Sequence, residues 1–213
     1  IDLGTGNDYK RTIDHYDNIF KTDLIKIVSD HQTIHGINSW CIGLDADIAN
    51  DLNRFRGKNK DPYLKSMMYH FCHYRPYSIS YNVNGDWEDH KITMLAILNG
   101  MYYGNGRKIA PHAYLTDGTL NFYTVDDLNK LKIARLFCLL ELGKHEGNPH
   151  VHARKISEIV VESPNGLLNA NIDGESYSFK NCHISVEHNN GIYVCPGDPF
   201  AIKEDIKKYI LHK

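Results

Sequence analysis

Three short segments combine residue types that could handle a phosphate, a proton or a metal ion. Near the start, Gly4-Thr5-Gly6-Asn7-Asp8 sets small residues before a helix, where backbone N–H groups can approach an anion and Asp8 could meet a magnesium ion or a hydroxyl. The same residues also make an ordinary glycine turn in front of a capped helix. Asp173-Gly174-Glu175 holds two carboxylates two residues apart, and Asp-Gly between strands is equally a routine type I′ turn. The loop Ala110–Leu120 offers one carboxylate, Asp117, among several carbonyls; these are hard ligands suited to Mg²⁺ or Ca²⁺, although most such loops bind nothing.

Other candidates are weaker. The chain has 13 histidines, with His70-x-x-His73 and His150-x-His152 as the nearest pairs, but no second Cys or His pair stands at zinc-finger spacing. There is no G-x-S-x-G nucleophile elbow and no Cys-His dyad that spacing would single out. The five cysteines are odd in number, scattered and without a CxxC pair, which reads as reduced thiols in a cytosolic protein.

The elements that must position these residues are mostly strands. A glycine turn opens a short helix capped by Asn7 or Asp8, with Ile13 and Tyr16 on one face. Strands are predicted over Leu24–Val28, Ser39–Leu44, Tyr77–Val83, Lys91–Asn99, Lys155–Glu162, Leu168–Ile172, Glu175–Phe179, His183–Val186 and Ile192–Cys195. Asn84-Gly85, Asn165-Gly166, Asp173-Gly174 and Asn190-Gly191 supply turns for an antiparallel meander. A long helix is predicted from a Thr124/Asp127 capping box to Leu142, stopped by Gly143, with further helices over 61–74 and 203–211. The expected fold is mainly β (α+β), an antiparallel sandwich edged by a few helices.

Composition narrows the partners. Lys plus Arg total 24 against 26 Asp plus Glu, so the formal charge of -2 provides no field to draw the chain onto nucleic acid. Apolar runs such as Ile133–Leu142 fall well short of the roughly 20 residues that span a bilayer. The N-terminal residues carry no secretory signal pattern.

Taken in order, the motifs resemble the diacylglycerol kinase-like lipid kinases, the family of bacterial diacylglycerol kinases, YegS-like kinases and sphingosine kinases. Gly4-Thr5-Gly6-Asn7-Asp8-Tyr9 is similar to its GTxNDF segment, and Asn38–Ala46 to its N-x-x-S-x-G-F-D-A strand. Leu98-Asn99-Gly100, Tyr103–Gly106, Ile109-Ala110-Pro111 and Asp117-Gly118 are similar to its N-G-x-x-x-G-G-G…APxAxxxDGxL block, and Asn171–Glu175 to its DGE motif. The resemblance implies an ATP- and Mg²⁺-dependent kinase for a lipid hydroxyl, by default diacylglycerol converted to phosphatidic acid. It implies Thr5, Gly6, Asn7 and Asp8 at the nucleotide, and Asp173 and Glu175 at the reacting hydroxyl, with Glu175 favoured as the proton acceptor. It also implies a structural Mg²⁺ on Asp117 and the carbonyls of Tyr114 and Thr119, and Asp23 reaching a catalytic magnesium through water.

The family's GGDGT phosphate loop has no counterpart here, so the expectation is an N-terminally truncated piece, inactive alone. Residues 1–23 would be a remnant of an α/β nucleotide-binding domain, 24–196 a β-sandwich substrate domain, and 197–213 a C-terminal helix packing back on the nucleotide domain. The expected partners are a lipid substrate and, transiently, a membrane surface, with a homodimer as one arrangement and a cytoplasmic, membrane-peripheral location. The competing functions are an NAD-kinase-like enzyme with a soluble substrate and a non-catalytic lipid-binding module.

Overall fold

The computed structural model describes residues 8–17, 20–29, 32–52, 62–164, 166–191 and 193–194. The Gly4–Asn7 turn, Asn165, Cys195 and the expected helix over 203–211 lie outside them. The strands are β1 (Phe20–Lys21), β2 (Leu24–Ser29), β3 (Gln32–Gly36), β4 (Ser39–Gly43), β5 (Tyr77–Val83), β6 (Asp86–Leu98), β7 (Tyr102–Tyr103), β8 (Arg107–Lys108) and β9 (Leu120–Asp126). They continue with β10 (Val151–Ile156), β11 (Glu158–Glu162), β12 (Leu168–Ile172), β13 (Glu175–Phe179), β14 (Asn181–Glu187) and β15 (Tyr193–Val194). The helices are α1 (Asp8–Ile13), α2 (Leu44–Asn50), α3 (Pro62–His73) and α4 (Lys130–Glu141).

Eleven strands form one antiparallel sheet in the order β13-β12-β4-β6-β5-β11-β14-β2-β3, with β9 added to β6 and β10 to β9. Alternating side chains such as Ile25 and Ile27 point to one face. Those inward residues, from β2 through β14, all join a single cluster around Trp40 and Phe122. A flat sheet of this width could not bring them together, so the sheet curls on itself and encloses its core as a sandwich. The outer face over β6 and β9 is covered by α2, α3 and α4, through Leu44, Ile48, Tyr63, Met67, Phe71 and Ile133. No helix among the described residues is long and apolar enough to cross a membrane.

Several expected elements differ. Thr124 and Asp127 do not start a helix: β9 continues through Asp126, paired with both β6 and β10, and α4 begins after Asn129, whose side chain accepts from Lys132 N at 3.0 Å. Two ladders outweigh one cap there. The C-terminal end is as expected, with Gly143 at φ 66 and Lys144 N donating to Leu139 O. Lys155–Glu162 is two strands, because at Ser157 the chain leaves β9 and moves to β5 and β14. Strand β3 and helix α2 were not anticipated.

Gly43, which ends β4, adopts φ 101, and a Cβ there would lie 2.6 Å from Thr93 O and 2.8 Å from Met94 Cα. Gly43→Ala should therefore destabilise the fold by about 2–4 kcal/mol through overpacking and left-handed strain. The check is the urea midpoint; an unchanged midpoint would show that β4 and β6 can separate there at no cost.

Candidate active site

The β12–β13 hairpin turns on Asp173 (φ 51) and Gly174 (φ 96), both left-handed as a type I′ turn requires. The Asp173 carboxylate folds back onto the start of β4, accepting from Ile37 N at 2.6 Å, Asn38 N at 3.0 Å and Ser39 N at 2.8 Å. Close approach needs Gly36, where a Cβ would meet Ile172 Cγ2 at 3.1 Å. The residue keeps an open outer surface, but its carboxylate is sunk against these amides, and that desolvation raises its pKa against the opposing pull of three N–H bonds. Glu175 differs. It is exposed beside the turn, paired in the ladder with Ile172, and its carboxylate has no hydrogen-bond or ion-pair partner among the described residues.

A chain of hydrogen bonds ties this hairpin to the other motif residues. Asn38 O accepts from Asn99 N at 2.9 Å and Gly100 N at 3.3 Å, and Asn99 Nδ2 donates to the carbonyls of Ile37 and Asp23. Asp23 has no exposed side-chain surface. Its carboxylate accepts from Gly118 N at 2.7 Å and from Asn189 N at 2.8 Å, and it contacts His188 Nδ1 at 2.8 Å. Asp23 thus acts as a staple between the Asp117-Gly118 loop and the end of β14. The resemblance implies that Asp23 reaches a catalytic magnesium through water; in this structure both of its oxygens are bonded to protein groups. Asp8 is likewise engaged: it starts α1 and accepts from Asn105 N and Gly106 N in the turn between β7 and β8. Thr5, Gly6 and Asn7 lie outside the described residues.

At Asp117 one oxygen accepts from Thr119 N at 3.0 Å and Thr119 Oγ1 at 2.7 Å, and the other is paired with the Lys155 ammonium. Partial burial pushes this carboxyl up, but Lys155 and Thr119 outweigh it and hold it below the ordinary value. Tyr114 is exposed, its ring edge-on to Tyr16. No group of three or more His, Cys, Asp or Glu among the described residues could hold a metal. The set that the resemblance implies, Asp117 with the carbonyls of Tyr114 and Thr119, is not a cluster of that kind, and in this structure the Lys155 ammonium supplies the positive charge beside Asp117. Mg²⁺ or EDTA should move the melting temperature of the wild-type chain by less than about 1 °C, whereas Lys155→Met should make it rise with Mg²⁺. A Mg²⁺-dependent wild type would restore the ion to this loop.

At the start of α2 lies a largely buried polar cluster built from residues of two quoted motifs, Asn38–Ala46 and Tyr103–Gly106, to which the sequence alone gives no role. Cys41 Sγ is 2.8 Å from Tyr103 OH, which donates to Asp45 Oδ2 at 3.1 Å. Asp45 Oδ1 is buried without a hydrogen-bond partner. Desolvation lifts the Asp45 carboxyl to about 7 and the Cys41 and Tyr103 hydrogens well beyond their ordinary ranges. Tyr9 is also buried, and burial pushes its hydroxyl up to about 12, with Thr22 opposing the shift and the Asp173 charge adding to it. Tyr9, Asn38, Asn99, His188 and Lys155 are the residues that the structure adds to the site.

A curled antiparallel sandwich with an Asp-Gly-Glu hairpin at its rim, tied to buried asparagines and a loop aspartate, defines a class of domain rather than one enzyme. Residues 38–189 match the YegS C-terminal NAD kinase beta sandwich-like domain, and the chain belongs to that family. A structure from Bacillus anthracis str. Sterne, assigned as a diacylglycerol kinase, superposes with a TM-score of 0.66 at 19% identity, covering 88% of this chain and 66% of that one. A further diacylglycerol kinase structure from the same organism gives 0.57 at 17% identity, covering 88% and 62%. In sequence, sphingoid long-chain bases kinase 1 of Arabidopsis thaliana is 30% identical over 71 residues, 33% of this chain and 9% of that protein. The chain thus spans less than two thirds of each of these relatives and has the fold of the diacylglycerol kinase/YegS lipid kinases.

Proposed function

We propose that the complete protein transfers the γ-phosphoryl group of ATP to a lipid hydroxyl, and that this chain supplies the acceptor side of the site. The observation that carries this reading is the division between the two carboxylates of the hairpin. Asp173 accepts from three amides, while Glu175 has no partner among the described residues and stands beside a turn that those amides hold in place. A hydroxyl is a weak nucleophile, and a free carboxylate on a rigid element can accept its proton as the P–O bond forms. Asp173 then acts by positioning, and the bonds through Asn38 and Asn99 keep the hairpin in register with the loop that Asp23 holds. Magnesium arrives with ATP as the metal–nucleotide substrate. Thr5, Gly6, Asn7 and Asp8 would contact that nucleotide.

Diacylglycerol is the first acceptor to test, and the short match to a sphingoid base kinase favours a long-chain amino alcohol as the second. The experiment is transfer from radiolabelled ATP to micellar diacylglycerol, a sphingoid base and NAD by the complete protein. Labelled lipid supports the reading. Labelled NAD alone would move the protein to the soluble-substrate branch, and lipid binding without transfer would make it a binding module.

A further inference from the structure

Helix α4 carries leucines on two opposite faces. Ile133, Leu136 and Leu140 face inward and pack on the clusters beneath. On the reverse face, at helical spacing, Leu131, Ala134, Arg135, Cys138 and Leu142 form an exposed stripe, with Leu131 80% and Leu142 68% open to solvent. The two leucines are eleven positions apart, roughly 16 Å along the axis at a helical rise of about 1.5 Å per residue, so both reach a flat surface lying parallel to the helix. Lys132 flanks the stripe, Arg135 stands within it and Lys144 follows it, while Lys130 on the other flank donates to the Cys72 carbonyl. The helix's one carboxylate, Glu141, is paired with Arg107 Nε at 2.6 Å. In a chain of formal charge -2, this is a local excess of positive charge around exposed leucines.

We infer that the outer face of α4 docks on an anionic bilayer surface, with the two leucines entering the interface and the basic residues meeting acidic headgroups. This rests on the lipid-substrate reading above and adds the element and the headgroup charge. Leucine stripes flanked by Lys and Arg are the composition of helices that lie in the membrane interface. Charge decides against a second copy of this chain as the occupant. A two-fold contact through this face would set Lys132 and Arg135 against the same basic residues of the other copy.

The test is co-sedimentation of the complete protein with vesicles of phosphatidylcholine alone, or with a third of it replaced by phosphatidylglycerol. The wild type should bind the acidic vesicles and not the neutral ones, and binding should fall as salt rises. Leu131→Glu with Leu142→Glu should weaken binding at least tenfold at an unchanged melting temperature, because both side chains already face water. If that variant melts early, Lys132→Gln with Arg135→Gln decides instead. Equal binding to both vesicles, wild-type binding by the substituted protein, or a dimer that the leucine substitutions dissolve while vesicle binding persists would each overturn the proposal. Vesicle binding without lipid phosphorylation would keep this face and remove the kinase reading. Phosphorylation of a short-chain lipid in detergent without vesicle binding would do the reverse.

Discussion

Glu175→Gln in the complete protein should lower kcat for lipid phosphorylation by about 10²–10⁴-fold, the range expected when a positioned general base is removed. KM for ATP and the melting temperature should hardly move, because the exposed side chain makes no hydrogen bond among the described residues that the amide would lose. Asp173→Asn is the informative contrast. Its carboxylate accepts three backbone N–H groups, and an amide there would turn an NH₂ toward donors. Leaving such amides unsatisfied costs about 1–3 kcal/mol. Asp173→Asn should therefore lower both the melting temperature and the rate, the rate falling because Glu175 loses its mounting. Kinetics and thermal melts of the two variants side by side check the assignment. Normal kcat in Glu175→Gln, with loss of kcat at unchanged stability in Asp173→Asn, would exchange the roles.

The second large effect is on stability. Asp45 is half-buried as a residue, but its carboxyl is sunk away from water with Oδ1 fully covered, and that lifts it from an ordinary 3.8 to about 7. Between these values the folded chain holds a proton that the unfolded chain has released, so this group's contribution is full below about pH 4 and is lost as pH rises toward 7. A difference of about three pK units corresponds to a loss on the order of 4 kcal/mol by pH 8. Asp45→Asn keeps an acceptor for Tyr103 and carries no charge. It should be more stable than wild type at pH 8, and the advantage should vanish near pH 4. Urea unfolding of both proteins across that range measures it. A stability difference that does not change with pH would show that Asp45 ionises freely in the folded chain.

Much of the fold could be read in the residues. Asn84-Gly85 and Asp173-Gly174 turn the hairpins where those dipeptides predict, since both positions of a type I′ turn need positive φ. Gly143 stops α4 for the same reason. The failures fall where local and distant preferences compete. Thr124 and Asp127 have the spacing of a helix start, yet β9 keeps its strand conformation through Asp126 because neighbours on both sides satisfy its backbone. Nothing local in Lys155–Glu162 shows that the strand changes partners at Ser157.

The same boundary runs through the site. Residue types and their order determined the family resemblance, the hairpin that carries two carboxylates, and the loop that carries a third. They could not say which carboxylates are free, since hydrogen bonds and burial come from residues far away in the chain. Asp173 is occupied by amides about 135 positions distant, Asp23 is sealed by residues about 165 away, and Asp117 is met by Lys155. Asp45 stands in a motif segment, but nothing in the sequence sets its carboxyl apart, and it becomes unusual only because the fold removes water from it. Only the tertiary structure shows that Asp173, Asp23 and Asp117 hold the frame, while Glu175, the proposed base, has no partner among the described residues.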